Sequence, residues 1–79
     1  MIALLEHDQQ KETEYIKTLD TYLWNETHIT QTTEALYIHR SSLIKRLDKI
    51  QRLLGDDLND TDVRLYYRIC LALINSRRQ

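Results

Sequence analysis

ITQTTEALYIHRSSLIKRLDKIQRLL, residues 29–54, holds two helical patterns joined by a turn of only a few residues. In its second half, about Arg40 to Leu54, the residues Leu43, Leu47, Ile50 and Leu54 recur at spacings of four, three and four. At about 3.6 residues per turn that spacing puts them on one side of a helix. Lys45, Lys49 and Arg52 recur in the same way on the opposite side. Lys45 and Lys49 repel each other on a bare helix, and a polyanion lying along that face relieves the repulsion. Gly55 follows Leu54, where a left-handed residue closes a helix. At the other end Ser41 and Ser42 stand beside His39 and Arg40. Short side chains there admit a close approach to a groove, and hydroxyls bond bases or phosphates. The first half, about Ile29 to Leu36, is a short helix with Ile29, Thr33 and Leu36 facing inward. Tyr37 makes the turn and Ile38 plugs it. Helices joined this closely cross steeply, which is the geometry of a helix-turn-helix.

Charge supports that reading through its placement. The chain has 79 residues and a net charge of −1, which by itself argues against a nucleic-acid binder. Residues 1–34 carry two Lys and seven Asp or Glu, whereas residues 35–55 carry five Lys or Arg against one Asp. Residues 56–79 balance at four of each sign. The positive charge is gathered on one helix, and a phosphate backbone responds to the local field rather than to the total.

With 42% hydrophobic and 29% charged residues the chain suits a folded domain. One Gly and no Pro leave nothing to turn a set of hairpins, so the expectation is an all-α, five-helix domain. Cys70 is the single cysteine, which makes an internal disulfide impossible and a reducing cytoplasm the default. No apolar run approaches a membrane span, no signal peptide is visible, and no membrane partner is expected.

In chain order, Ile2 to Glu6 reads as one or two helical turns and His7 to Lys11 as a polar loop. A helix over about Glu12 to Trp24 follows, with Tyr15, Ile16, Leu19, Tyr22 and Leu23 as its buried stripe and Trp24 as a lid on the core. After Gly55, Leu58 is an anchor, and Asn59 or Asp60 caps a last helix over about Thr61 to Asn75. That helix is apolar on most sides, more than a surface helix needs. It is either the central core helix or a contact surface for another chain or domain. Ser76 to Gln79 reads as a frayed tail with two arginines.

The run Ala35-Leu36-Tyr37-Ile38-His39-Arg40-Ser41-Ser42-Leu43, with Arg46-Leu47, Ile50, Leu53-Leu54-Gly55 and Asp57-Leu58, resembles the C-terminal helix-turn-helix domain of the PucR/CdaR regulators. These are bacterial transcription factors of purine catabolism and sugar diacid use. Leu4-Leu5 with His7-Asp8, and the Thr18 to Leu23 segment, fit the same pattern, so the likeness covers nearly the whole chain. A more distant similarity is to the factor-for-inversion-stimulation type of reading motif. Thr33 stands where the family usually has Ala, Ser41-Ser42 where it has Asn-Thr, and Lys45 where it has Tyr. The last two changes imply an altered sequence preference. The resemblance implies one domain over residues 1–79, a piece of a longer regulator, whose partner is double-stranded DNA. It further implies a homodimeric full-length protein, with a small-molecule effector bound by a sensory region outside this chain. The apolar surface of the last helix is the candidate dimer contact.

On that basis the DNA-binding candidates are His39, Arg40, Ser41, Ser42, Ile44, Lys45, Arg46 and Lys49. Several have a plainer alternative. His39 contacts DNA or only caps its helix. Ile44 touches a thymine methyl or is an ordinary exposed apolar residue. Arg46 binds phosphate or pairs with an acid on the first helices. Lys49 and Arg52 bind phosphate or are solvated surface. His7, His28 and His39 lack ligand spacing for a metal, Cys70 reads as a buried thiol, and Tyr15, Tyr22, Tyr66 and Tyr67 read as core aromatics. No cofactor motif or catalytic constellation appears, so no enzyme is expected. The rival from another class is a helical protein-interaction module that binds no DNA.

Overall fold

Helices form wherever the sequence offers an apolar stripe, and each stops at a residue able to leave the helical conformation. The computed structural model describes residues 1–78, with side chains through residue 75. Among these residues lie α1 (Ile2–Lys11), α2 (Tyr15–Trp24), α3 (Ile29–Leu36), α4 (Arg40–Leu54) and α5 (Thr61–Arg78), and no strand. This is the expected all-α fold. The expected bounds of α3 and α4 agree with the structure. Tyr37 closes α3 in the left-handed region at φ 56, and Gly55 closes α4 at φ 73. The expected fray of the tail concerns Gln79 and the side chains of Ser76, Arg77 and Arg78, which lie outside the described residues; the backbone of α5 itself continues to Arg78.

The N-terminal region differs from expectation. His7 to Lys11 continues α1 rather than forming a loop, and α2 starts at Tyr15 rather than Glu12. Nothing in His-Asp-Gln-Gln-Lys breaks a helix, Leu4 anchors the segment in the core, and Lys11 complements the dipole in the last turn. The break comes at Glu12, which takes φ 54.

Asp8 then reaches forward to start α2. Its two carboxylate oxygens accept the backbone N–H groups of Tyr15 and Ile16, each at 2.8 Å. The Thr13 hydroxyl donates to the same carboxylate. His7 Nδ1 lies 3.1 Å from that hydroxyl oxygen, and its ring stacks on Tyr15 at 4.7 Å. With the hydroxyl proton given to Asp8, His7 Nδ1 is the donor of this pair. A side chain of one helix thereby serves as the N-terminal cap of the next.

Helix α2 occupies the centre: its backbone packs against all four other helices, while α5 packs against α2 alone. Leu19 is fully buried, and Ile16 and Leu23 nearly so. They meet Leu4 of α1, Leu43, Leu47 and Ile50 of α4, and Tyr67 and Leu71 of α5 in one cluster. Of the two readings open for the last helix, the central one fails. Leu65, Tyr66, Ile69 and Leu73 are each more than half exposed. Trp24 is no lid either, at 78% exposure. Tyr66 is likewise not a core aromatic, whereas Tyr67 is buried and Tyr15 and Tyr22 are half-buried against the core.

The two buried threonines are satisfied within their own helices: Thr18 Oγ1 donates to the Glu14 carbonyl at 2.8 Å, and Thr32 Oγ1 to that of His28 at 2.7 Å. Thr32, rather than the expected Thr33, is the threonine buried inside α3. Its bonded hydroxyl removes the usual cost of burying a polar group.

The link to α5 is held by side chains. Leu58 is buried, as expected for an anchor, and its N–H donates to Gln51 Oε1 at 3.0 Å. Asp60 caps α5 by accepting the Asp62 N–H at 2.8 Å. The Tyr67 hydroxyl donates to Asp56.

Replacing Asp8 with Ala is expected to lower stability by about 1–2 kcal/mol through loss of the α2 cap, read by urea melts. Burial, and then the bond to Asp56, push the Tyr67 phenol above its ordinary value. A group that holds its proton more tightly when folded supports the fold below its unfolded value, here about pH 10, and loses that support as pH rises past it. Melts taken at rising pH should therefore show stability falling above about pH 10, less steeply in Tyr67→Phe.

Candidate nucleic-acid interface

The inward side of α4 is fixed by Leu43, Leu47 and Ile50, all buried. Helical geometry then dictates what points out. Ser41, Lys45, Asp48 and Arg52 form the outermost row, with Arg40 and Ile44 on one flank and Ser42 and Lys49 on the other. All of these side chains are exposed. The backbone of α4 approaches α1, α2 and α3 but not α5, and the exposure of the row shows that none of the described residues covers it.

Among the described residues, the ion pairs are Lys17 with Glu14 at 4.0 Å and Arg52 with Asp48 at 3.1 Å. Arg52 and Asp48 are 76% and 59% exposed, so their attraction is well screened and weak. Lys45 and Lys49 have no carboxylate partner among the described residues, which leaves their charge for a ligand. Asp48 lies at the middle of the row and repels phosphate from its own neighbourhood. The most favourable field is therefore toward the N-terminal half, where the helix dipole adds positive potential.

His39 occupies the N-cap position of α4 with extended backbone, φ −72 and ψ 153. Its ring makes no capping hydrogen bond; only its carbonyl serves the helix, accepting the Leu43 N–H at 3.0 Å. Capping thus leaves the imidazole uncommitted. Ile44 is 49% exposed on the outer face.

Arg46 stands apart from the other candidates. It is half-buried, and Nη1 donates to the Thr18 hydroxyl of α2 at 3.2 Å. The expected alternative of a pairing with an acid is replaced by a bond to a neutral, fully buried hydroxyl. The structure thus brings His39, Arg40, Ser41, Ser42, Ile44, Lys45 and Lys49 to one open surface and ties Arg46 back toward the core.

Tyr37 joins that surface, although the sequence showed it only as a turn. It is 94% exposed and lines an open concavity of about 530 Å³ with Thr33, Glu34, Ile38 and His39. A non-glycine residue in the left-handed region is strained. Here the strained residue is an aromatic that gains no packing in return. The signal available in the sequence was a large aromatic at a turn position with no glycine nearby. No helix among the described residues is long and apolar enough to cross a membrane.

The family model for the PucR C-terminal helix-turn-helix domain matches residues 15–73. The chain belongs to this PucR helix-turn-helix family. It is similar to the purine catabolism regulatory protein of Bacillus subtilis (strain 168), with 35% identity over 69 residues, 87% of this chain and 13% of that protein. It is also similar to the proline-responsive transcriptional activator PutR of the same organism, with 32% identity over 77 residues, 96% of this chain and 19% of that protein. The chain spans less than a fifth of the length of either relative. No solved structure matches it. The PucR-type domain is a DNA-binding output unit of transcriptional regulators and not an enzyme. Helix α1 lies before the family match, yet it supplies Leu4 to the core and Asp8 to the start of α2.

Replacing Arg46 with Ala should cost about 1 kcal/mol of stability, because it removes a bond to a buried hydroxyl. Replacing His39 or Lys45 with Ala should change stability by no more than about 0.5 kcal/mol. Denaturant melts of the three variants check this division between held and open side chains.

Proposed function

We propose that this chain binds specific DNA sequences by laying α4 in the major groove, as the output domain of a longer bacterial regulator. The observation that carries the reading is the open face of α4: Lys45 and Lys49 are exposed and, among the described residues, have no carboxylate partner. In this reading Lys45 and Lys49 bind phosphates, and Arg40 binds phosphate at the groove edge. His39, Ser41 and Ser42, at the leading end, reach base edges, and Ile44 meets thymine methyl groups. Arg46 acts from behind, fixing α4 on α2 while its remaining guanidinium N–H groups stay available to a phosphate.

One such unit covers few base pairs, so the regulator acts as a dimer that spaces two reading helices roughly 34 Å apart. Effector binding belongs to a region outside these residues. The names of the two relatives point to metabolite-linked regulation, of purine catabolism in one and of a response to proline in the other. Residues 1–79 then act as one helix-turn-helix unit inside a cytoplasmic regulator.

The test is a salt titration of binding to selected duplexes. Affinity should fall steeply with salt, since each phosphate contact releases counterions. Lys45→Ala with Lys49→Ala should weaken all sequences alike and flatten the slope by about two contacts. Ser42→Ala or His39→Ala should change which sequence is preferred. Undiminished binding by the double lysine variant would place the contact on another face.

A further inference from the structure

We propose that Tyr37 is a contact to the DNA backbone: its ring lies against a deoxyribose at the edge of the groove, and its phenol donates to the adjoining phosphate. The proposal rests on the reading of α4 as the helix that DNA meets, and adds a contact from the turn in front of it.

The fold makes no use of this side chain. Main-chain groups alone close the turn: the Tyr37 N–H donates to the Thr33 carbonyl, and the Ile38 N–H donates to the same oxygen at 3.2 Å. The turn holds Tyr37 in the left-handed region, φ 56 and ψ 44, where glycine or asparagine sits at lower cost. The residue is nevertheless 94% exposed, and its phenol forms no hydrogen bond among the described residues. A bulky side chain kept at a strained position with nothing to hold inside the molecule acts on something outside it.

Its place identifies the target. Tyr37 stands two residues before His39, the N-cap of α4, and both line the concavity shared with Thr33, Glu34 and Ile38. A duplex that takes the leading end of α4 into its major groove presents a sugar–phosphate wall to the residues just ahead of that end. Half-buried Ile38 and Thr33 offer apolar surface to the sugar. Glu34 is exposed and has no cation partner among the described residues, so it repels a phosphate seated inside the concavity. A neutral aromatic that carries a hydroxyl suits such a wall: the ring covers the deoxyribose, and the O–H reaches the phosphate beyond it.

Sugar and phosphate are the same in every sequence, so this contact adds affinity without sequence preference. The phenol is uncharged and displaces no counterion, so its loss leaves the salt slope unaltered. These two marks separate Tyr37 from Lys45 and Lys49, whose loss flattens the slope, and from His39 and Ser42, whose loss changes the preferred sequence.

The test compares variants with the wild-type chain by anisotropy of labelled duplexes, selected and unrelated, over a salt series. Tyr37→Gly should raise the melting midpoint by about 4 °C, because it relieves the turn. It should also weaken binding about tenfold on both duplexes, with the salt slope kept. Tyr37→Phe, which retains the ring, should weaken binding about threefold. Glu34→Gln should tighten it about twofold. A Tyr37→Gly chain that binds as tightly as wild type, while Lys45→Ala with Lys49→Ala binds weakly, would overturn the proposal and leave the reading of α4 standing. A loss confined to the selected duplex would overturn it too, by showing a contact to bases. Undiminished binding by the double lysine variant as well would remove the reading of α4 and this proposal together.

Discussion

Burial of α2 is the constraint from which the rest of the structure follows. A ten-residue helix has too little internal hydrogen bonding to persist alone in water, so it survives by surrounding itself. Ile16, Leu19 and Leu23 take up apolar side chains from α1, α4 and α5, and α3 packs alongside. Its first N–H groups are capped from outside by Asp8. Once α2 holds the centre, each remaining helix has one inner side and one outer side. For α4 the inner side is leucine and isoleucine, which forces Lys45, Lys49 and Arg52 outward into water. The cationic face is in this sense a consequence of the core, and no part of the core depends on it.

This arrangement separates folding from binding. The polar groups that maintain the fold are Asp8, Thr18, Thr32, Arg46, Asp56 and Asp60, and each has an intramolecular partner. The polar groups of the open face, His39, Ser41, Ser42, Lys45 and Lys49, form no side-chain bond among the described residues. Substitution on that face can change what the face contacts without disturbing the fold. Arg46 connects the two sets: it lies within α4 but bonds Thr18 of α2, so its removal should loosen the presentation of the whole face.

Much of this was legible in the sequence where local signals and periodicity agreed. The limits of α3 and α4 were correct because Tyr37 and Gly55 stop their helices locally, and the outward cations followed from the leucine spacing. What escaped was set by distant contacts. His7 to Lys11 looked like a loop because it is polar, but Asp8 spends its polarity on the next helix. The last helix looked central because it is the most apolar, whereas centrality went to α2, which is shorter but has neighbours on every side. Trp24 looked like a lid, yet it ends α2 at the rim of a cleft rather than over the core. Thr32 passed unnoticed because a threonine that bonds its own helix can be buried like a valine. Arg46 sits on the flank of the helix wheel, and only the position of Thr18 shows which way it turns.

The central claim is that the open face of α4 is the surface DNA meets. Amide resonances of the labelled chain, followed while a selected duplex is added at moderate salt, test it most directly. The account predicts that the largest shifts fall between Tyr37 and Lys49, with the core positions of α2 little changed. Shifts confined to α1 or α5, with Ser41, Ser42, Lys45 and Lys49 unmoved, would contradict it.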